Sequence, residues 1–490
     1  MNLRYLFIFF LGAIACLYLA YSSAVTVLYV RNDGMRYFDK FGNANSDFAT
    51  DPQYKWLCAL GRPVAAVEEA FVYQKINHLS DLAKLKLFTI MVLALNASLL
   101  ASIIVSLGFR AIPAFCISMA IFTLPGVQEC VFVPFLSIAS AQLLALLAYA
   151  IGLSRWPHWI RTALSFIFLE ITFFTYVPMT FLFLIPTALV LILNDDEWQA
   201  SKKIWARDML LWVSAMVVYY IILRGFLYEN LKMTHHQMGP SWSEFFTYIK
   251  TFLSQGAPQT FNLWNIYYAQ GLGILVASFA VVVLAANFLY IKKKWWAQKA
   301  GALLMIFLIF NMIWFLFGGY LPRIFVASQA FAVILIYWCG VWFIKIFRRH
   351  SQWLPVCWPV AIMLMGLVCA NSTMSRNVWN CNAELMFIRD RLAQYADTTI
   401  EEIHLIRPQD PTKGYNGLKV VYDNFNDGST FYRDVPSLIR VALRDMDDPP
   451  TEMHCVVTSS DYGQPFKELS PHILVINMND LVRISRDHLK

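Results

Sequence analysis

The chain has 490 residues, of which 58% are hydrophobic and only 14% are charged, and its formal net charge is +7. A soluble globular protein does not carry so much apolar surface with so few charges, so the composition predicts a polytopic membrane protein. The positive charge comes without a basic–aromatic motif, which argues against a nucleic-acid-binding function.

Apolar runs recur along the N-terminal three quarters of the chain, and a helix needs roughly 20 apolar residues to cross a bilayer. They predict about eleven transmembrane helices. Their approximate ranges are 5–30, 87–109, 112–124, 132–153, 162–177, 178–194, 208–226, 269–291, 301–320, 324–344 and 353–371. The first run is too long for a cleaved signal peptide and many others follow it, so we interpret it as a retained anchor.

The basic residues of the short loops indicate the orientation of the chain. One side collects Arg4, Arg110, Arg155, Arg161, Lys202, Lys203, Arg207, Lys292, Lys293, Lys294, Lys299, Lys345, Arg348 and Arg349. The short loops on the other side, around 125–131, 176–178 and 321–323, contain Arg323 as their only basic residue. We therefore expect a cytoplasmic N-terminus and external loops at 31–86 and 227–268. An odd number of spans places the C-terminal segment 372–490 outside as well.

Each external loop combines a polar stretch with an amphipathic helix. In the first loop, residues 31–54 are polar and residues 55–78 have helical periodicity. The apolar positions of that helix are Trp56, Leu57, Leu60, Val64, Val67 and Phe71. The second loop contains His235 and His236, followed by an aromatic helical stretch at 242–252. Such helices lie in the membrane interface, and the histidine pair lacks the further ligand that a metal site needs.

The C-terminal segment differs from the rest because charges become frequent after residue 371. Its periodicity predicts helices at 383–397 and 436–444 and strands at 402–406, 418–422, 453–458 and 472–476. This alternation predicts a small external α/β domain at 372–490. It lacks a glycine-rich phosphate loop, so nucleotide binding is not expected. Cys381 and Cys455 both fall in it and could pair in an oxidising compartment.

Asp33 is the candidate general base. It follows the first span by a few residues, so its carboxylate could accept a proton from a hydroxyl in solution while a reacting phosphate stays at the interface. Asp39, Asp47 and Asp51 compete for this role in the same loop. The alternative is that Asp33 is an ordinary solvated loop residue.

Arginines are the candidate ligands for a lipid phosphate, because a guanidinium group binds such oxygens through two hydrogen bonds. Arg36 and Arg62 lie in the first external loop, although both could instead extend toward lipid headgroups. Arg323 lies in a very short external turn, 318–323. An isolated arginine there runs against the charge bias of the short loops, which favours a functional role.

Glu129 follows Gln128 in the turn between the third and fourth spans. A carboxylate at the membrane edge is costly unless it has a partner. Glu129 could orient a sugar hydroxyl, act as a second acid–base group, or pair with one of the arginines.

Taken in order, these motifs resemble the GtrII-type bacterial glucosyltransferases of serotype conversion and, more broadly, the GT-C class of polyprenyl-phosphate-sugar-dependent transferases. The residues that carry the resemblance are Asn32-Asp33-x-x-Arg36, Gly61-Arg62-Pro63, Pro125, Gln128-Glu129, Tyr176 and Pro322-Arg323. The resemblance covers roughly residues 1–345. Many members have two acidic residues after the first span, whereas this chain has Asp33-Gly34, so Asp33 alone carries over.

The resemblance implies an all-α GT-C-like membrane domain at 1–371 in the bacterial inner membrane, with the C-terminal domain in the periplasm. The donor would be undecaprenyl-phosphate-glucose and the acceptor a lipid-linked O-antigen repeat of lipopolysaccharide. The implied catalytic residues are Asp33 and Glu129. The implied substrate-binding residues are Arg36, Arg62, Arg323, Gln128 and Tyr176. No cofactor or metal is implied, and the functional partners would be a flippase and a lipid-linked-sugar synthase.

Three other functions fit parts of the sequence. An O-antigen polymerase or ligase also has external arginines but needs no acidic residue after the first span. A transporter or flippase of lipid-linked sugars would have membrane-embedded charges and inverted repeats, whereas we find one clear embedded acid, Glu170, and no repeat. A docking protein could use its C-terminal domain to bind a partner.

Overall fold

The computed structural model describes about two thirds of the chain. The described residues are 3–29, 52–76, 78–193, 198–227, 242–252, 254, 260, 263–265, 296–312, 322–346, 354–395, 401–407, 435–444, 456–460 and 472–481. Several predictions lie outside them and stay predictions. These concern Asp33, Arg36, His235, His236, Cys455, the span at 269–291 and the strand at 418–422.

Within these residues the chain is mostly helical. The helices are α1 (Leu3–Thr26), α2 (Pro52–Ala59), α3 (Pro63–Tyr73), α4 (Leu79–Ser106), α5 (Ala111–Phe122), α6 (Pro125–Phe132), α7 (Leu136–Gly152), α8 (His158–Tyr176), α9 (Ile185–Leu193), α10 (Trp198–Ile222), α11 (Trp242–Thr251), α12 (Trp296–Phe310), α13 (Val326–Ile346), α14 (Leu354–Ala393) and α15 (Val435–Arg444). The strands are β1 (Glu402–Ile406), β2 (Val456–Ser460) and β3 (Ile473–Asn477). The aromatic helix expected at 242–252 is α11.

Six helical segments of the described chain are long and apolar enough to cross a membrane. A seventh results if α5 and α6, which meet at an angle of 61°, form one broken span. Two further apolar helices, α7 and Gln298–Phe310, are shorter. These segments confirm the prediction of a polytopic helical membrane protein, while the number eleven stays a prediction.

The chain reverses direction at Tyr176, as the short hairpin expected there requires. Tyr176 has extended backbone angles (φ −159°, ψ 100°), and a 3₁₀ helix at Val177–Leu184 then leads into α9. Residues on the two sides of the break lie at the same level of α7. Ser165, before the break, donates to the carbonyl oxygen of Ala148 (2.7 Å), and the ring of Phe183, after it, packs on the ring of Tyr149 (centroids 5.5 Å apart).

The 3₁₀ geometry makes each short arm about as long as the hydrocarbon core is thick, although the two arms together are one of the six segments counted above. The first arm, α8, has 19 residues and reaches about 28 Å at a rise of about 1.5 Å per residue. The second arm has 8 residues of 3₁₀ helix and 9 of α-helix. Because 3₁₀ helix rises about 2.0 Å per residue, this arm reaches about 30 Å, the thickness of the hydrocarbon core.

The amphipathic helix expected at 55–78 is two helices, α2 and α3, so that prediction is wrong in its continuity. The helix breaks at Gly61, whose φ of +75° lies in the left-handed region that glycine tolerates. Pro63 then begins α3, where a missing backbone N–H costs nothing.

The last predicted span and the first helix of the C-terminal segment form one continuous helix, α14, of 40 residues. Its length of about 60 Å exceeds the bilayer thickness. Two side chains fix it along α1: Asn371 donates to the carbonyl oxygen of Leu19 (2.7 Å) and Asn382 to that of Leu28 (2.6 Å). The boundary expected at 371 is therefore a change in composition inside a helix.

A parallel three-stranded sheet in the order β2-β1-β3 follows α14. The helix α15 packs against both β2 and α14. Leu385, Ile388 and Leu392 on α14 are buried. The structure thus confirms the strand at 402–406 and the helix at 436–444. The other two described strands begin within three residues of their expected positions, at Val456 and Ile473.

Candidate functional site

The end of α1, the start of α4 and the end of α6 meet at one end of the bundle. Tyr29 marks this end: its hydroxyl donates to the carbonyl oxygen of Phe132 at 3.0 Å. The buried Lys86 of α4 donates to the carbonyl oxygen of Tyr29 at 3.1 Å, and its ammonium nitrogen lies 3.2 Å from the centre of the Tyr29 ring. These contacts fix the point from which the chain continues toward Asp33 and Arg36.

Arg62 is held by the turn between α2 and α3. The hydroxyl of Tyr219 lies 3.3 Å from the carbonyl oxygen of Gly61 and donates to it. A Cβ atom at Gly61 would come within 2.7 Å of that hydroxyl oxygen and 2.8 Å of Leu223. The close approach of α10 therefore requires glycine here, and it fixes the backbone of the next residue.

The guanidinium group of Arg62 lies over the ring of Tyr176, with Cζ 4.5 Å from the ring centroid. A cation in this position is stabilised by the ring without losing its charge. No carboxylate among the described residues pairs with it. Arg62 therefore keeps both its charge and hydrogen-bond donors for an anion.

Glu129 and Arg323 form an ion pair, so the sequence-based alternative of pairing is the one realised. The pair is largely enclosed, with side-chain exposures of 8% and 21% respectively. Cζ of Arg323 also lies 5.6 Å from the centre of the Phe135 ring. The second carboxylate oxygen of Glu129 is buried and has no hydrogen-bond partner in the described chain.

Tyr176 lies close to both arginines. Its buried hydroxyl lies within electrostatic range of Arg62, Arg323 and Glu129. Three charged residues proposed from separate parts of the sequence, Arg62, Glu129 and Arg323, thus lie near one aromatic side chain at one end of the bundle.

Gln128 has a local role in the observed contacts. It is buried, and its Nε2 donates to the carbonyl oxygen of Thr123 at 2.8 Å. Thr123 lies in the bend between α5 and α6. Gln128 therefore stabilises the bend that presents Glu129, and no observed hydrogen bond joins it to the arginines.

The sequence reading missed an acidic pair on α3. Glu69 is only 1% exposed, and its Oε1 accepts hydrogen bonds from the hydroxyl (2.5 Å) and the backbone N–H (3.2 Å) of Ser137. Glu68 accepts a hydrogen bond from the hydroxyl of Ser140 at 2.8 Å. The other carboxylate oxygen of Glu69 has no partner among the described residues.

The exposed side of α3 is the apolar one, which agrees with the interfacial helix expected from the sequence. Val67 and Phe71 are exposed (49% and 58%), while Ala66, Glu69 and Ala70 are buried. Small alanines allow α3 to approach α7 closely, and this brings Glu69 to Ser137. The sequence feature that could have predicted the burial of Glu69 is the pair Ala66 and Ala70, which flank it two helical turns after Arg62.

Burial raises the pKa of Glu69 from its ordinary 4.5 to about 8, against the opposing hydrogen bond from the Ser137 hydroxyl, and the neighbouring Glu68 raises it further. Burial also raises the pKa of Glu68, and the hydrogen bond from Ser140 counteracts it. Glu69 is therefore mostly protonated at neutral pH and can donate a hydrogen bond through that proton.

Glu69 belongs to the same neighbourhood as the ion pair. The thiol of Cys130, on α6, is within electrostatic range of Glu129, Arg323 and Glu69. The site therefore combines one arginine without an acidic partner, one ion pair and one protonated carboxyl group. Among the described residues, no group of three His, Cys, Asp or Glu side chains could hold a metal ion. No protein-family model, curated protein or solved structure matches this chain.

Proposed function

We propose that the protein transfers a hexosyl group, expected to be glucosyl, from a polyprenyl-phosphate sugar to a lipid-linked acceptor. The transfer would take place on the periplasmic side of the inner membrane. The observation that carries this proposal is the convergence of Arg62 and the Glu129–Arg323 pair on Tyr176. An anion site at the ends of membrane helices suits a substrate whose phosphate lies at the interface and whose tail lies in lipid.

The charges of the site fit the change in charge during such a reaction. The donor is a phosphodiester with one negative charge, and the departing polyprenyl phosphate gains a second. Arg62 can meet the charge of the donor because it has no acidic partner among the described residues. Arg323 is held by Glu129 before the substrate arrives, so its guanidinium group is positioned in advance for the charge that develops.

Asp33 remains the proposed base. Glu69 is mostly protonated at neutral pH, and the carboxylate of Glu129 is engaged by Arg323. Asp33 follows Tyr29 by four residues, a stretch of chain that spans at most about 14 Å. The acceptor hydroxyl would lose its proton to Asp33 as its oxygen attacks the anomeric carbon and the bond to the lipid phosphate breaks.

The wider setting of the proposal follows from the resemblance and the loop charges. The acceptor would be an O-antigen repeat, and the protein would lie in the bacterial inner membrane with about eleven spans. Its N-terminus would be cytoplasmic, and the segment with β1, β2 and β3 would be periplasmic. Arg36 would contribute to phosphate binding beside Arg62. A flippase and a lipid-linked-sugar synthase would supply the donor.

The test uses the full chain in nanodiscs with radiolabelled undecaprenyl-phosphate-glucose and lipid-linked O-antigen. Wild type is compared with Asp33→Asn, and Asp39→Asn is the matched control in the same loop. Transfer by wild type and by the control, with loss in Asp33→Asn, would support the proposal. Undiminished transfer by Asp33→Asn would move the base to another acid. No transfer from any polyprenyl-phosphate sugar would favour a polymerase, ligase or transporter.

A further inference from the structure

A cavity of about 810 Å³ lies between α7, α8 and α10. It is at the opposite end of these helices from Tyr176, beside the turn at 152–154 that ends α7. Its volume is in the range of sites that hold small organic ligands, roughly 300–1,000 Å³. The proposed transfer reaction uses no part of it.

The polar end of the cavity has an excess of positive charge. Arg207 donates to the buried Asp208 (2.7 Å) and contacts the carbonyl oxygen of Gly152 (3.5 Å), so its charge is balanced. Among the described residues, the guanidinium group of Arg161 donates only to the carbonyl oxygen of Ser154 (3.4 Å), and no carboxylate pairs with it. Arg161 therefore retains its charge and most of its five N–H donors.

The rest of the lining is apolar and opens toward lipid. Phe166 and Leu211 form part of the wall. Ile167 and Leu210 also line the cavity, yet both side chains are exposed. In a membrane-spanning helix an exposed apolar side chain faces the acyl chains, so the cavity is accessible from the bilayer.

Two tryptophans mark the depth of the cavity in the membrane. Trp159 lines it and is exposed, and Trp156, three residues earlier, is also exposed. Exposed tryptophans concentrate at the level of the lipid headgroups. The guanidinium of Arg161 therefore lies near the depth of lipid phosphates, on the side of the membrane that carries the basic short loops.

We propose that this cavity binds one anionic glycerophospholipid from the adjacent leaflet. Its phosphate would lie on Arg161, and an acyl chain would follow the wall formed by Phe166 and Leu211. A lipid fits better than a soluble phosphate compound, because the small polar ligand would leave most of the apolar wall uncovered, whereas an acyl chain would pack against it. The excess positive charge favours an anionic over a zwitterionic headgroup.

Native mass spectrometry of the full chain in detergent tests this proposal, with dioleoylphosphatidylglycerol and dioleoylphosphatidylcholine titrated separately. We expect phosphatidylglycerol to bind about tenfold more tightly, a difference of about 1.4 kcal/mol. Both lipids offer the same phosphate to Arg161, but the choline group of phosphatidylcholine adds a cation that the positive end of the cavity repels. Arg161→Gln should remove that difference. Ala163→Trp, which fills the cavity without removing a charge, should weaken binding of both lipids.

Two matched controls separate this site from general attraction to a basic surface. Arg155→Gln removes an exposed arginine of the same loop, and Ala206→Trp adds an indole to an exposed position of α10; neither residue lines the cavity. Both controls should bind phosphatidylglycerol as wild type does. Equal binding of the two lipids, or equal losses in Arg155→Gln and Arg161→Gln, would overturn the proposal. Displacement of the lipid by sn-glycerol 3-phosphate at the same concentration would also overturn it and assign the cavity to a soluble anion.

Discussion

The guanidinium group of Arg62 rests on the ring of Tyr176, with 4.5 Å between Cζ and the ring centroid. The first residue belongs to a turn between two short helices and the second to the reversal of a hairpin of spans. Both positions are breaks in regular helix, where side chains can point along the bundle axis. This contact therefore holds a cation that has no carboxylate partner among the described residues.

Substitution of Arg62 should weaken donor binding. Arg62→Gln removes the charge and should raise the KM for the polyprenyl-phosphate sugar roughly tenfold to a hundredfold, the loss expected for charge-assisted hydrogen bonds. Arg62→Lys should restore only part of it, because an ammonium group lacks the planar, bidentate donors. Initial rates over a range of donor concentrations measure this effect.

The control for Arg62 is Arg224→Gln, which removes an exposed arginine that contacts only Tyr220 among the described residues. Its KM should equal that of wild type. If Arg224→Gln and Arg62→Gln raised the KM equally, the effect would come from the net charge of the surface and not from the contact with Tyr176.

The Glu129–Arg323 pair should show strong coupling in stability. Arg323→Met alone leaves a largely buried carboxylate without this partner and should lower the free energy of unfolding by about 3 kcal/mol. Arg323→Met combined with Glu129→Leu should cost less than the sum of the single changes, with a coupling of about 2 kcal/mol. Unfolding by SDS in bicelles provides the four values of the cycle, and additive losses would contradict the pairing.

The sequence predicted those features that a single segment determines. The long apolar helices of the described chain were expected because a helix in lipid must be apolar along its whole length. The strand at Glu402–Ile406 was expected because Ile403 and Leu405 alternate with polar residues, which is the period of a strand. The hairpin at Tyr176 was expected from two short runs, and the contacts of Ser165 and Phe183 with neighbouring residues of α7 show the reversal.

Features that depend on distant partners were not predictable in the same way. The sequence indicated that Glu129 needs a partner, but it did not indicate which arginine would be that partner. The pattern of α3 suggested which side was apolar, yet Glu69 is the residue that points inward, because its partner Ser137 comes from α7. Hydrophobic periodicity identifies the apolar side of a helix, and either lipid or the protein interior can cover that side. It does not show which polar residue of α3 is buried.

Glu69 should make stability depend on pH. Its pKa is about 8 in the folded protein and near 4.5 in an unfolded chain, so the folded state holds the proton that the unfolded state releases. Stability should therefore fall as the pH rises from about 4.5 to 8, and level off above that. Glu69→Gln mimics the protonated form and should lack this decline.

The measurement for Glu69 is the free energy of unfolding at pH 5, 6.5 and 8 for wild type and Glu69→Gln. The difference between them should grow in favour of the variant as the pH rises. Asp390→Asn removes an exposed carboxylate of α14 and should follow wild type at all three values. A difference that does not change with pH would show that Glu69 has an ordinary pKa.

Two glycines with positive φ allow a matched test of the turn that holds Arg62. Gly61 and Gly108 have φ values of +75° and +97°, so alanine at either position is strained by about 1–2 kcal/mol. A Cβ at Gly108 meets nothing within 4 Å, whereas at Gly61 it would collide with the hydroxyl of Tyr219 and with Leu223. Gly61→Ala should therefore displace the backbone at Arg62, while Gly108→Ala should leave it in place.

We expect Gly108→Ala to lower stability slightly and to keep the wild-type KM for the donor. Gly61→Ala should lower stability further and should also raise the KM in the same direction as Arg62→Gln. The double variant Gly61→Ala/Tyr219→Phe removes the colliding hydroxyl oxygen and should recover part of the loss, the collision with Leu223 accounting for the rest. If Gly61→Ala changed stability and KM no more than Gly108→Ala does, the close packing of α10 on this turn would have no role in positioning Arg62.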